Sequence, residues 1–133
     1  MTAGLGVRCT SLLYRRRVTS RLPDVDLNDF FALDLRVGCV TAVDEFPEGR
    51  KPAWKLTVDF GPEVGVLQTS AQVTNYGRDD LVGRQVVGAI NLGTKRIAGF
   101  VSEFLVLGAT DPGDGAVHLL ELPDTVAPGW RIV

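Results

Sequence analysis

WKLTVDF, residues 54–60, alternates apolar and polar side chains without a break. Trp54, Leu56, Val58 and Phe60 would share one face, and the polar residues would share the other. Because side chains on a strand point to opposite faces in turn, the pattern predicts a strand with one buried face. A Gly-Pro-Glu turn follows at 61–63, and residues 64–70 return as an antiparallel partner. The two runs predict a β-hairpin.

Shorter patterns on either side of this hairpin predict more strands and little helix. Residues 35–43 alternate with Leu35, Val37, Cys39, Thr41 and Val43 on the better-buried face. Residues 85–92 are apolar on both faces, which is typical of a central strand. The remaining predicted elements are a helical turn over 29–33 capped by Asn28, a loop over 46–52, a helix over 71–76 ended by Gly77, a basic turn over 93–96, strands over 104–108 and 117–122, and an edge strand over 128–133.

These elements predict an all-β protein. Five or six short strands, with one small helix between the third and fourth, suit a five-stranded OB-fold Greek-key barrel with a short helix and small terminal extensions. Periodicity alone does not separate this barrel from other small all-β folds. A chain of 133 residues fits one domain, which we place at 24–133.

Charge is distributed unevenly along the chain. Residues 1–23 hold five Arg and no acid, whereas residues from Asp24 onward hold nine Lys or Arg against sixteen Asp or Glu. We interpret 1–23 as a basic, disordered tail; an RNA-binding arm, an organelle-targeting segment and translation starting further in remain open. An acidic body attracts polyanions only through a local basic patch.

Groups needed for catalysis or for holding a cofactor are missing from the sequence. There is no nucleophile elbow, phosphate-binding loop, dinucleotide fingerprint or zinc-ligand spacing. His118, the single His, is predicted to lie on a solvent-facing strand surface, and Cys9 and Cys39 are predicted to be free thiols. No apolar run reaches the length of a membrane span. We therefore predict a cytoplasmic, non-enzymatic protein without metal or cofactor.

Three motifs in order carry a family resemblance. They are Leu35-Arg36-Val37-Gly38, residues 67–72 (LQTSAQ) and residues 91–107 (NLGTKRIAGFVSEFLVL), together with the loop EFPEGRKPAWKL at 45–56. Over about residues 29–133 the chain resembles the tRNA-binding domain family, which occurs alone or appended to aminoacyl-tRNA synthetases. The details are similar to the stand-alone CsaA-like branch. The resemblance implies an OB fold, a homodimer, tRNA binding without catalysis and, for CsaA-like members, a chaperone activity linked to protein export.

Basic residues near the predicted turn at 93–96 form the candidate RNA site. Lys95 and Arg96 suit phosphate contacts, and loops between OB strands commonly bind oligonucleotides. Arg36 is predicted to lie in line with them. Further candidates that would offer polar groups to base edges are Ser70, Gln72, Asn91, Ser102 and Glu103.

Two further predictions concern a polypeptide ligand and a homodimer. A polypeptide ligand would need apolar walls, for which Phe46 and Phe100 are the candidates, although core packing is the simpler interpretation of both. A partially open barrel also leaves strand edges exposed, which the terminal extensions would cover or pair across a two-fold axis. A homodimer would double the basic patch. The predicted partners are therefore tRNA or another structured RNA, unfolded polypeptides or export machinery, and a second copy of the chain.

Overall fold

The computed structural model describes residues 21–133, and the predictions for residues 1–20 lie outside this range. It contains two short helices and nine strands. In chain order these are α1 (Leu27–Ala32), β1 (Leu35–Glu45), β2 (Trp54–Asp59), β3 (Val66–Ala71), α2 (Arg78–Leu81), β4 (Gln85–Ala89), β5 (Lys95–Ile97), β6 (Phe100–Ser102), β7 (Leu105–Val106), β8 (Gly108–Thr110) and β9 (Val117–Leu119). Helices of six and four residues are too short to span a bilayer.

A five-stranded antiparallel sheet in the order β3-β2-β1-β4-β7 forms the barrel wall. The predicted hairpin at 54–70 is confirmed: β2 pairs with β3 from Trp54↔Ala71 to Asp59↔Val66. The hairpins β5–β6 and β8–β9 form two separate two-stranded sheets. The nearly closed barrel confirms the predicted all-β, OB-like fold.

The barrel closes where β3 meets the segment 101–104. The backbone N–H of Glu103 donates to the carbonyl of Gln68 at 2.8 Å, and the Gln68 side-chain amide donates to the carbonyl of Val101 at 2.9 Å. The buried hydroxyl of Thr69 donates to the carbonyl of Phe104 at 2.6 Å. These bonds satisfy the polar groups of β3 along its outer edge, which would otherwise be open.

Apolar side chains from β1, β2 and β4 fill the barrel. The alternation in β2 places Leu56 and Val58 fully inside, followed by Phe60. The rings of Phe60 and Phe104 meet edge to face with centroids 4.9 Å apart. Gly88 on β4 leaves room for them, because a Cβ there would lie 2.8 Å from the Phe104 ring and 2.9 Å from the Phe60 ring.

The helix predicted over 71–76 is wrong. Ala71 instead ends β3 opposite Trp54, and α2 begins at Arg78. Gly77, interpreted as a helix stop, is the residue before the helix: its N–H donates to a carboxylate oxygen of Asp80 at 3.2 Å. The first helix also differs, since Asp26 caps it and accepts a hydrogen bond from the Asn28 N–H at 3.0 Å.

A bulge shifts the alternation predicted for β1. Val40 pairs with Val58 and Ala42 with Thr57, so Thr41 is an extra residue on this strand. Val40 is therefore buried and Thr41 exposed, whereas Cys39, a free thiol, is only half-buried. The extra residue bends β1, which lets one strand pair with β4 along its first half and with β2 along its second.

The second half of the chain forms shorter strands than predicted. The central strand over 85–92 ends at Ala89, and the strand predicted over 104–108 is divided between β7 and β8. The strand over 117–122 ends at Leu119, and His118 on it is exposed as predicted. The basic turn over 93–96 is instead the start of the β5–β6 hairpin.

The C-terminal segment 129–132 lies against the first half of β1, as an edge segment with a single bridge between Arg36 and Arg131. The N–H of Gly129 donates to the Val37 carbonyl at 2.7 Å, and the N–H of Ile132 donates to the Leu35 carbonyl at 2.8 Å. The segment therefore covers the edge of β1 that β2 does not reach.

Candidate nucleic-acid interface

The β5–β6 hairpin presents two basic side chains at one rim of the barrel. Lys95 pairs with Ser102 and Arg96 with Val101. The two-residue turn is Ala98-Gly99, both at positive φ of 49° and 85°, as a type I′ hairpin requires. Lys95 and Arg96 are both exposed, so their charges reach solvent.

The β1–β2 loop forms the facing rim. Phe46, at the start of this loop, is only 5% exposed. The N–H of Gly49 donates to the Phe46 carbonyl at 3.2 Å, which turns the chain so that Arg50 and Lys51 project outward. Both basic side chains are exposed.

A groove of about 620 Å³ runs between these two rims, across the end of β3. The residues that line this basic groove are Phe46, Glu48, Gly49, Arg50, Lys51, Ala53, Ser70, Gln72, Lys95, Arg96, Ile97 and Ala98. Its lining includes four basic side chains and one carboxylate, that of Glu48. Ser70 and Gln72 contribute neutral polar groups to its floor.

A second cavity of about 390 Å³ adjoins the basic groove along the other side of β5. Ser70, Gln72, Lys95 and Ile97 line both spaces. Its further lining residues include Leu92, Phe104 and Leu105, of which the two Leu side chains are 54% and 55% exposed. We call this space the apolar cavity for those three residues, although its lining also includes the polar side chains of Thr69, Thr94 and Ser102.

Within residues 21–133, the cations of the basic groove have no ion-pair partner. Five of the ten Lys and Arg side chains among residues 21–133 have a carboxylate within 4.0 Å: Arg21, Arg36, Lys55, Arg84 and Arg131. The other five are Arg50, Lys51, Arg78, Lys95 and Arg96. Four of these five line the basic groove. The acidic body thus concentrates its unpaired positive charge at one place, where it is available to a polyanion.

Four of the residues predicted to bind RNA line this groove. Lys95, Arg96, Ser70 and Gln72 line it, which brings together the residues that the sequence analysis grouped only by motif order. Arg36 lies elsewhere. Its guanidinium donates to Asp34 at 2.6 Å and to the carbonyl of Gly129 at 3.1 Å, and is thus engaged in holding the C-terminal segment.

Asn91 connects the end of α1 to the barrel. Its side-chain oxygen accepts from the Asp34 N–H at 2.8 Å and its amide donates to the Ala32 carbonyl at 2.8 Å. Both polar atoms thus already have partners within the chain. This geometry favours a structural role over contact with a base.

Ser102 and Glu103 are engaged in closing the barrel. The Ser102 hydroxyl is buried and lies 2.9 Å from the Thr69 hydroxyl, in hydrogen-bond contact. The Glu103 carboxylate accepts from the Gln68 N–H at 3.0 Å. Ser102 also lines the apolar cavity, whereas Glu103 lines neither space.

The two aromatic candidates lie together behind the basic groove. The rings of Phe46 and Phe100 have centroids 5.5 Å apart. Phe46 is buried and contributes to the groove wall, and Phe100 is half-buried. Neither ring offers a fully exposed face, so base stacking is not the main chemistry that this groove supplies.

The sequence analysis did not select Arg50 and Lys51. Both residues lie in the predicted loop over 46–52, whereas the basic pair at 95–96 was singled out. Two adjacent basic residues in a Pro- and Gly-rich loop between two predicted strands were the available signal, because such loops border the ligand face of an OB barrel. No three His, Cys, Asp or Glu residues within 21–133 cluster so as to hold a metal ion.

Comparison with known proteins identifies the family of this chain. The family model described as "Putative tRNA binding domain" matches residues 35–131. The chain is 36% identical over 110 residues to methionine–tRNA ligase 1 of Sorangium cellulosum, which covers 83% of this chain and 15% of the ligase. Identity to the methionine–tRNA ligase of Methanosarcina acetivorans is 34% over 112 residues, covering 84% and 15% respectively. The chain therefore spans about 15% of the length of these relatives.

Solved structures of similar length also match. The CsaA chaperone protein of Picrophilus torridus is 44% identical with a TM-score of 0.77, and the match covers 83% of this chain and all of that one. The chaperone CsaA of Bacillus anthracis is 46% identical with a TM-score of 0.77, covering 84% and 100%. Because the family model spans every strand of the barrel, the chain belongs to the tRNA-binding domain family and is CsaA-like within it.

Proposed function

We propose that this protein binds tRNA or another structured RNA in the basic groove, as a homodimer, and catalyses no reaction. One observation carries the proposal: four of the five cations without an ion-pair partner among residues 21–133 line this groove. Phosphate contacts by Lys and Arg supply much of the affinity of proteins for nucleic acids. A cytoplasmic location is proposed with it, since tRNA is abundant there.

The homodimer is supported by exposed apolar residues at the N-terminal end of the barrel. Helix α1 has no buried residue, and Phe31 is 52% exposed. Trp130, 55% exposed, lies in the C-terminal segment, which adjoins the end of α1 through the Arg131–Asp34 pair at 3.9 Å. An apolar surface of this kind is typical of a protein interface. We propose a second copy of the chain as the partner, which gives an assembly with two basic grooves.

A gel shift with tRNA tests the RNA proposal. The variant Arg50→Gln, Lys51→Gln, Lys95→Gln and Arg96→Gln removes the four groove cations. Arg78→Gln removes the unpaired cation outside the groove and serves as a control for position. We expect loss of binding in the first variant and wild-type binding in the second. Unchanged binding by the fourfold variant would assign RNA binding to another part of the chain, such as the Arg-rich segment 1–20.

A second candidate function is binding of unfolded polypeptides, as in an export-related chaperone. The apolar cavity favours it, because Leu92 and Leu105 offer exposed apolar surface directly beside the basic groove. The test is suppression of aggregation of a denatured client protein by wild type and by Leu92→Ser with Leu105→Ser. Leu120→Ser, at a residue 42% exposed and outside this cavity, is the control. Equal suppression by all three proteins would contradict this function for the cavity.

A further inference from the structure

We propose that Lys55 is a positioning residue: its ammonium group joins the β1–β2 loop to the β5–β6 hairpin and so sets the spacing of the two rims of the basic groove. This inference rests on the proposed function of that groove. Lys55 itself does not line the groove, and its side chain is only 30% exposed.

The ammonium nitrogen of Lys55 lies close to two aromatic rings. It is 4.9 Å from the centroid of Phe46 and 5.3 Å from that of Phe100. The two rings are tilted at 53° to each other. A cation within about 6 Å of a ring centroid is attracted by the ring quadrupole, more strongly where water is partly excluded. We call Lys55, Phe46 and Phe100 the cation bracket.

Each member of the cation bracket belongs to a different element. Lys55 lies on β2, held between Asp44 of β1 and Ser70 of β3 in the sheet. Phe46 starts the β1–β2 loop, and Phe100 starts β6 opposite Ile97. Through Lys55, the bracket therefore connects both the β1–β2 loop and the β5–β6 hairpin to the central sheet.

Contacts of Phe46 and Lys55 continue along the β1–β2 loop up to the residue before Arg50. A Cβ at Gly49 would lie 3.2 Å from the Phe46 ring, so the backbone at Gly49 packs against that ring. Glu48 adds a weaker hold, with its carboxylate 4.0 Å from the Lys55 nitrogen and 62% exposed. Arg50 and Lys51 follow at once in the sequence. Their placement therefore depends on Phe46, and that of Phe46 on Lys55.

Limited proteolysis without RNA tests this dependence. Trypsin cuts after Arg50 when the loop opens, whereas Pro52 protects the bond after Lys51. In Lys55→Met, which keeps the aliphatic stem, we expect about five- to tenfold faster cleavage after Arg50. Lys55→Arg restores the cation and should return the rate close to that of wild type. Arg78→Met removes a comparable cation, 5.7 Å from the Trp54 ring, and should leave the rate unchanged.

Phe100→Leu provides a second variant. It removes one ring of the bracket and should accelerate the same cleavage. In its presence Lys55→Met should add less than its full effect, because one of the two contacts between Lys55 and a ring is already lost. The free energy of unfolding of each variant, measured in urea, separates loop opening from global unfolding. Wild-type cleavage in Lys55→Met, or full additivity with Phe100→Leu, would overturn the proposal.

Binding to tRNA then distinguishes positioning from direct contact. Lys55→Met should weaken binding about tenfold and leave the salt dependence unchanged, because the four groove cations still reach phosphates after the loop is ordered. A salt slope smaller by about one would show that Lys55 contacts a phosphate itself, contradicting a positioning role. If the groove does not bind RNA at all, the fourfold variant binds like wild type, whereas the proteolysis result still decides the role of Lys55.

Discussion

Neutralising the hairpin pair Lys95 and Arg96 gives the sharpest quantitative test of the basic groove. Each Lys or Arg that neutralises a phosphate contributes roughly 0.7–0.9 to the slope of log K against log salt. Four unpaired cations in one groove therefore predict a slope of about −3 to −3.5. The affinity of wild type for tRNA should fall about 100-fold between 50 and 200 mM salt. A dimer that engages one tRNA with both grooves would show about twice that slope.

Lys95→Gln with Arg96→Gln removes two of the four contacts and leaves the hairpin backbone intact, since both side chains are exposed. The slope should shrink by about 1.5 for each groove engaged. A phosphate contact near a solvated surface contributes about 1 kcal/mol, so two contacts correspond to about 30-fold weaker binding at fixed salt. Fluorescence anisotropy of labelled tRNA, measured at five or more salt concentrations, provides both quantities.

Two results would refute this reasoning. An unchanged slope in the double variant would show that Lys95 and Arg96 do not contact phosphate. A loss per removed charge in Arg78→Gln equal to that in the double variant would show that net charge, and not the position of the cations, determines binding. Circular dichroism of both variants confirms that the barrel is intact.

Three further results are expected. Phe31→Glu places a charge on the exposed surface of α1 and should convert the dimer into a 14.4 kDa monomer, as measured by sedimentation equilibrium. A wild-type protein that is itself monomeric would contradict the proposed interface. Thr69→Val removes the hydrogen bond to the Phe104 carbonyl and the contact with the Ser102 hydroxyl, and it should lower the free energy of unfolding in urea by about 1–3 kcal/mol. Thr41→Val removes an exposed hydrogen bond and should change that free energy by less than about 0.5 kcal/mol, so equal effects would contradict the closure role. Asn91→Ala should lower stability by about 1–2 kcal/mol and leave tRNA affinity unchanged, so a binding loss at constant stability would return Asn91 to the RNA site.

The fold class was predictable because β2 carries its information locally. Trp54 to Phe60 alternate strictly, and the following Gly-Pro turn determines the partner strand. The predicted burial of Thr41 was wrong, because a bulge inserts one residue into β1 without any change in composition. The prediction that Gly77 ends a helix was also wrong. Glycine is compatible with either end of a helix, and here its N–H donates to the carboxylate of Asp80 at the start of α2.

The candidate site was predictable only in part, because motif order says nothing about which side of a strand a residue faces. Lys95 and Arg96 were found from their charge and their neighbouring turn. Asn91 and Glu103 occur in the same stretch of sequence, yet their side chains satisfy backbone groups. Arg50 and Lys51 come from a loop about 45 residues earlier, and only the closed barrel brings them opposite the hairpin.

The C-terminal segment has a consequence for the order in which the protein folds. The Arg36 guanidinium and the carbonyl of Gly129 are 93 residues apart in sequence, and the backbone bonds to Val37 and Leu35 join the same two regions. Contacts between such distant residues require closure of a long loop and form late. During synthesis, the first half of β1 therefore waits with one edge unpaired until residues 129–132 have left the ribosome. A chain shortened by these residues would retain its central strands yet expose that edge to other chains.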